Sequence, residues 1–199
     1  MAVTAVMIGR MKGWVGLVAL LLAPLGITAA FAGDNLPMLS NDAIARPPVH
    51  QERASPSGSH ILILTAPENW ATKQVDATLY NAQGQICQPL WSKTLPQEYG
   101  PRFALVSDQG QVVLIDEWIN VASSYAVMLL DASGQVVAQH SFDDLADRLQ
   151  MSRADIVDAA QFGWWVSRAP SLSRNGNTVQ VGTAGKQLKI NLETGDLSL

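Results

Sequence analysis

Short apolar runs separated by turn-forming residues fill most of the chain from residue 59 onward. The run His60–Thr65 is continuous, whereas Asp76–Tyr80 alternates apolar and polar positions. Runs of four to eight residues bounded by Gly, Pro, Asn or Asp predict β-strands. The other predicted strands are 85–91, 103–106, 111–116, 125–130, 135–140, 178–181, 187–190 and 196–199. We therefore expect a mainly β fold.

The turns between these runs repeat a two-part pattern. A Ser-x-x-Gly turn opens each β-rich unit, and a second Gly-containing turn closes a later hairpin. The opening turns are 55–58, 107–110 and 173–176, and the closing turns are 81–84, 131–134 and 192–195. Gly in the last position of such a turn adopts a positive φ without steric cost. This repeat predicts one domain, 55–199, with three antiparallel β-meander units at 55–92, 103–140 and 171–199.

A helical insertion at 141–165 separates the second and third units. Ser141 and Ser152 are each followed three residues later by Asp, which predicts two capping boxes with Asp in place of the usual Glu. We expect two short helices, at 142–149 and 153–160. The segment 162–166 is predicted to return to strand.

The repeat resembles the blades of β-propellers of the TolB-like and WD40-like kinds. Ser55-Pro56-Ser57-Gly58 matches the turn that opens a blade in those families, and Asp131–Gln135 matches the turn that closes its hairpin. The resemblance implies blade-like sheets that serve as protein-docking scaffolds. Three units are too few for a ring of about four to eight blades. An open stack, a sandwich with a helical cap and an oligomer that completes a ring all remain open. The chain also looks like small exported bacterial proteins of unknown function.

The N-terminus has the features of a secretory signal peptide at 1–32. Arg10 and Lys12 precede an apolar run at 14–23, and Ala30-Phe31-Ala32 places small residues at a cleavage site. The apolar run is too short to span a bilayer, which needs about 20 residues. We expect an exported protein, periplasmic or extracellular, that begins at Gly33 and is not inserted in the membrane. Residues 33–53 are predicted to be an extended arm or linker.

Cleavage would leave 11 basic residues (13 − 2) against 17 acidic ones, a net charge of −6. No basic cluster is present, so binding to nucleic acid is not expected. Cys87 is the only cysteine and cannot form an internal disulfide.

The most concentrated polar feature is Asp116-Glu117-Trp118, at the end of a predicted strand. Adjacent carboxylates beside an aromatic ring suit an acid–base pair, a Ca²⁺ site or a sugar-binding edge. Neighbouring side chains on a strand, however, point to opposite faces. A strand end with one solvated and one hydrogen-bonded acid is the structural alternative.

Trp164 and Trp165 form the second candidate. With Trp118 or Tyr125, an exposed member of the pair would make a stacking platform for a sugar or a partner protein. Packing of both rings in the core is the alternative. Arg168 is a candidate ion-pair partner for Asp116 or Glu117.

The familiar catalytic and zinc-binding patterns are absent from the sequence, so we expect no cofactor and no metal. The leading hypothesis is a non-catalytic exported domain that binds a protein or glycan of the cell envelope. The candidate binding residues are Asp116, Glu117, Trp118, Tyr125, Trp164 and Trp165. The alternative is a carboxylate-based glycan hydrolase that uses the Asp116/Glu117 region.

Overall fold

The computed structural model of the protein describes residues 45–84 and 87–199. The expected signal peptide and most of the expected arm lie outside these residues. Within them, the chain forms twelve β-strands in three sheets and two α-helices. Neither of the described helices is long and apolar enough to cross a membrane.

The first sheet begins before the predicted unit. Its strands are β1 (His50–Ala54), β2 (His60–Thr65), β3 (Val75–Asn81) and β4 (Gln88–Leu95). Residues 50–53, which the sequence analysis assigned to a linker, pair antiparallel with β2 instead. No apolar run marks this strand, because β1 carries mostly polar side chains and three of its five residues are exposed.

The second and third sheets repeat the arrangement of the first. The second contains β5 (Pro101–Val106), β6 (Val112–Glu117), β7 (Val127–Leu130) and β8 (Val136–His140). The third contains β9 (Arg168–Leu172), β10 (Thr178–Thr183), β11 (Lys186–Asn191) and β12 (Leu197–Ser198). In each sheet, consecutive strands are antiparallel neighbours. The prediction of a mainly β fold with three meander units is therefore confirmed.

The second sheet lies between two hydrophobic cores. One of its faces packs against the first sheet through residues such as Leu114 and Leu62. Its other face packs against the helices and the third sheet through residues such as Ile115 and Val181. Every residue of β6 and β7 is buried as a result. This two-sided burial explains why these strands read as continuous apolar runs rather than as alternating ones.

The closing glycine turns of the second and third units pack on the sheet before them. Gly134, in the turn between β7 and β8, lies against the ring of Trp91 in β4. Gly195, in the turn between β11 and β12, lies against Ala138 in β8, and a hydrogen bond joins its carbonyl to His140 at 2.8 Å. These two glycines therefore close their hairpins and also bring successive sheets together.

The insertion contains α1 (Phe142–Leu149) and α2 (Arg153–Asp158). Ser141 and Asp144 form the predicted reciprocal capping box, with each side chain accepting a hydrogen bond from the other residue's backbone N–H. Ser152 caps α2 by accepting from the N–H of Asp155 at 3.1 Å. The second helix ends two residues earlier than predicted.

The prediction that 162–166 forms a strand is wrong. These residues form a tight turn in which Phe162 and Val166 make a single antiparallel bridge. Gly163 has a φ of +71°. The N–H of Trp164 donates to a side chain of the second sheet instead of to a neighbouring strand.

Candidate functional site

Asp116 occupies a bent position at the end of β6. Its φ is +59°, in the left-handed region that non-glycine residues seldom adopt. Its own N–H still pairs with the carbonyl of Ala126 in the connection to β7, at 2.9 Å. The register of β5 and β6 pairs Pro101 with Glu117 and Phe103 with Ile115, and so sets Arg102 opposite Asp116.

The Asp116 carboxylate is fully buried beneath the turn that leads into the third sheet. Its Oδ2 accepts a hydrogen bond from the N–H of Trp164 at 2.8 Å and lies 3.7 Å from Nε of Arg102. Burial raises the pKa of Asp116 from its ordinary 3.8 to about 6, although the Trp164 N–H and the Arg102 charge both lower it. Loss of hydration outweighs these two contacts because the guanidinium is not within hydrogen-bond distance.

Gly163 is the residue that allows this contact. A Cβ at Gly163 would lie far inside the van der Waals radii of Oδ2 of Asp116 and of Nε and Cδ of Arg102. The bare backbone therefore covers the ion pair directly. The conformation of the turn 162–166 and the burial of the Asp116–Arg102 pair therefore depend on each other.

Glu117 points away from Asp116. Its Oε1 accepts a hydrogen bond at 2.7 Å from the N–H of Glu98, in the loop between β4 and β5. The side chain is buried and serves to hold this loop. The two adjacent acids therefore do not share a site, as the alternation of side chains along a strand predicts.

Trp118 is half-buried and is held on several sides. The guanidinium of Arg102 lies over its ring, 5.1 Å from the centroid, and also donates to the Trp118 carbonyl. Its N–H donates to the carbonyl of Gly100 at 3.0 Å, and its ring Nε1–H donates to the carbonyl of Ala45. Such an arrangement combines a cation–π contact with a fixed ring orientation.

A cleft of about 590 Å³ opens beside Trp118, which we call the Trp118 cleft. It is lined by Ala45, Lys73, Glu98, Arg102, Trp118, Ile119, Asn120 and Val121. An exposed ion pair between Lys73 and Glu98, 2.9 Å long, lies among the lining residues. The Asn120 carboxamide accepts from Arg102 at 2.9 Å. Aromatic, aliphatic, amide and charged groups thus face a single cavity.

The other three candidate binding residues lie elsewhere. Trp165 is fully buried in the core between the second and third sheets. Trp164 is half-buried beside the same core, where its ring meets Phe142 edge-on at 6.5 Å. Tyr125 packs against the core on the opposite face of the second sheet. Tyr125 and Trp164 are therefore on different sides of that sheet and do not form a common platform.

The central role of Arg102 was not predicted from the sequence. Arg168, the predicted candidate for the ion pair, is exposed, and its side chain packs over Gly182 in the third sheet. The signal that points to Arg102 is its place one residue after the start of β5, paired with the end of β6. That signal becomes readable only once the strand register is known.

Among the residues that the structure describes, no group of three or more His, Cys, Asp or Glu side chains is arranged to hold a metal ion. No protein-family model and no curated protein matches the chain. Among solved structures, the chain is similar to part of a europium-containing methanol dehydrogenase, at 11% identity and a TM-score of 0.39. The match covers 71% of this chain and only 22% of that one. This likeness is too low to carry an argument about function.

Proposed function

We propose that this protein is an exported, non-catalytic β domain that binds a protein segment or glycan of the cell envelope in the Trp118 cleft. The observation that carries the proposal is the division of the Asp116–Trp118 segment. Both acids are turned inward and bonded to the protein's own backbone, whereas Trp118 lies on a cavity wall. The segment therefore contributes an aromatic ring to the lining of a cavity, while neither of its own two carboxylates is free to act on a ligand there.

The buried acids are the reason for preferring binding over hydrolysis. A glycosidase needs two carboxyl groups about 5–10 Å apart that reach the same substrate. Asp116 is 0% exposed and Glu117 is 7% exposed, and their side chains contact different parts of the fold. The raised pKa of Asp116 suits a general acid, but its burial under Gly163 keeps a substrate away.

The composition of the wall supports recognition of an extended ligand. Trp and Arg are the residue types that most often dominate binding energy at protein interfaces. Here they are stacked on one another, so neither has to be ordered when a ligand arrives. Ile119 and Val121 offer apolar contact beside the Asn120 amide, which suits a ligand with both apolar and hydrogen-bonding groups.

The test is capture from the protein's own envelope fraction, followed by direct titration of the recovered ligand. Val121→Lys places a charge in the cleft at a side chain that is 39% exposed, and Asn120→Ala removes the amide. Val136→Lys, on β8 outside the cleft, is the matched control at a 52% exposed valine. We expect the wild type and the control to bind equally and Val121→Lys to bind at least tenfold more weakly.

Equal binding by all the variants, or no specific protein or glycan held by the wild type, would contradict the proposal. Incubation of the protein with envelope glycan tests the hydrolase alternative. New reducing ends that disappear in Glu117→Gln would favour catalysis. The export component is tested separately by N-terminal sequencing of the protein from its host, where we expect Gly33 as the first residue.

A further inference from the structure

The three units can be superposed through the hydrogen bond that closes each opening turn. In this bond, the N–H of Ser55, Ser107 or Ser173 donates to the carbonyl of His60, Gln111 or Thr178. The residues one and three positions after that carbonyl are therefore equivalent in the three units. They are Ile61 and Ile63 in the first, Val112 and Leu114 in the second, and Val179 and Val181 in the third.

In the second and third units, these residues face the sheet before them. Val112 and Leu114 are fully buried against the first sheet, and Val179 and Val181 are fully buried in the core shared with the second sheet. Ile61 and Ile63 have the same orientation within the first sheet but are only half-buried. In the second and third sheets, the equivalent surface is covered by the sheet before it. In the first sheet, the same surface is covered by none of the described sheets.

We call this surface the leading face. Tyr80 lies across from Ile61 and Thr78 across from Ile63, and a shallow cavity of about 230 Å³ lies over this area with Glu52 at its side. Asp76 lies further along the same face, across from Thr65. The strand residues of the leading face include two acids, Glu52 and Asp76, and no Lys or Arg.

The far face of the third sheet, which we call the trailing face, has the opposite charge. Its side chains alternate with the buried Val179, Val181, Leu188 and Ile190 and are polar. They include Gln180, Gln187 and Lys189, with Arg168 packed over Gly182 at the same side. The described strands contribute two cations and no acid to this face.

We propose that a second copy of this chain covers the leading face with its trailing face, and that the reverse contact closes a ring of six sheets. Lys189 and Arg168 would lay their aliphatic stems over Ile61, Ile63 and Tyr80 while their charged ends approach Glu52 and Asp76. Six sheets fall within the range of about four to eight that closed radial arrangements use. A head-to-tail contact forms a closed assembly only when the rotation between copies completes the circle, which two three-sheet chains can do.

The first measurement is the mass of the purified protein by light scattering or sedimentation at micromolar concentration. We expect twice the mass of one chain, and a shift toward single chains at 1 M salt because exposed charge pairs are screened. Ile63→Arg on the leading face and Lys189→Glu on the trailing face should each give single chains. Val136→Lys, a charge added outside both faces, should leave the double mass unchanged.

Two further samples separate the head-to-tail contact from other dimers. An equimolar mixture of Ile63→Arg with Lys189→Glu keeps one intact interface and should regain part of the double mass. The charge exchange Glu52→Lys with Lys189→Glu should restore association that Lys189→Glu alone abolishes. Single chains in the wild type, open polymers, or a dimer broken by Ile63→Arg but not by Lys189→Glu would each overturn the proposal. The mass measurement is independent of ligand binding in the Trp118 cleft, because Val121 lies on neither the leading nor the trailing face. Val121→Lys should therefore leave the double mass unchanged.

Discussion

The main-chain N–H of Trp164 donates to Oδ2 of Asp116 at 2.8 Å, although 48 positions separate the two residues along the chain. This bond ties the end of β6 to the turn that leads into the third sheet. Asp116 reaches it by adopting a positive φ, and Gly163 leaves the space for it. The same aspartate lies beside Arg102, which forms part of the Trp118 cleft. Arg102, which lines the candidate binding site, is therefore linked through Asp116 to the turn that connects the second and third sheets.

Burial of Asp116 should make stability fall as the pH rises from about 4 to about 6. Its pKa is higher in the folded protein, about 6, than the ordinary 3.8, so the folded state holds the proton more tightly than the unfolded chain does. The contribution is present below about pH 4 and is lost as the pH passes through 6. The difference corresponds to ~3 kcal/mol at most.

Urea unfolding of the wild type and Asp116→Asn at intervals between pH 4 and 7 measures this effect. The Asn variant should lack the decline, because its amide can still accept from Trp164 without carrying a charge. Asp131→Asn, at an exposed turn carboxylate whose pKa is lowered by Ser133, should retain it. A constant difference between wild type and Asp116→Asn at every pH would show that Asp116 does not titrate in this range.

Gly163→Ala should destabilise the protein by about 2–4 kcal/mol. A left-handed φ costs an ordinary residue about 1–2 kcal/mol, and the new methyl group would collide with Asp116 and Arg102. Gly176→Ala is the matched control, since Gly176 has a φ of +72° with nothing near its missing Cβ. Chemical denaturation should give a loss of only about 1 kcal/mol for the control. Similar losses of stability at both positions would mean that the close packing at Gly163 does not contribute to the free energy of unfolding.

Gly195→Ala should loosen the contact between the second and third sheets. A Cβ at Gly195 would overlap that of Ala138, whereas Gly185, with a similar φ of +76°, has open space around it. Gly195→Ala should therefore cost about 1–3 kcal/mol more than Gly185→Ala. Adding Ala138→Gly should recover part of the loss, with a coupling free energy of about 0.5–3 kcal/mol in a double-mutant cycle. Strict additivity would argue against a direct contact.

Ser141→Ala should cost about 1 kcal/mol, the usual value for loss of a helix cap. Ser141 both accepts from the N–H of Asp144 and has its own N–H bonded to the Asp144 carboxylate at 2.7 Å. Ser152→Ala should cost at least as much. Each hydroxyl accepts from the Asp N–H and donates to the Asp carboxylate, but only the Asp144 carboxylate keeps a bond to a backbone N–H after the substitution. Thermal unfolding shows which of the two variants loses more stability, with Ser141→Thr as a conservative control. A clearly larger loss for Ser141→Ala would show that the backbone bond to Asp144 does not support the first cap.

The local elements of this fold could be predicted from the sequence because the signals for them lie within a few residues. The repeated Gly turns and the apolar runs between them indicated three meanders, and Ser141 with Asp144 indicated the first helix. The same local reasoning also kept Asp116 and Glu117 on opposite sides of a strand. It was wrong for 162–166, where the apolar aromatic run indicated a strand and the chain turns instead.

Relations between distant segments were decided only by the tertiary structure. Arg102 rather than Arg168 pairs with Asp116 because the register of β5 and β6 sets them opposite each other. Tyr125 and Trp164 are separated because they pack against different faces of the second sheet. Periodicity in a sequence shows that a strand has two faces, but it cannot show which neighbouring sheet each face meets. The sequence by itself therefore determined the three units, and their stacking decided which side chains line the Trp118 cleft and which support it from within.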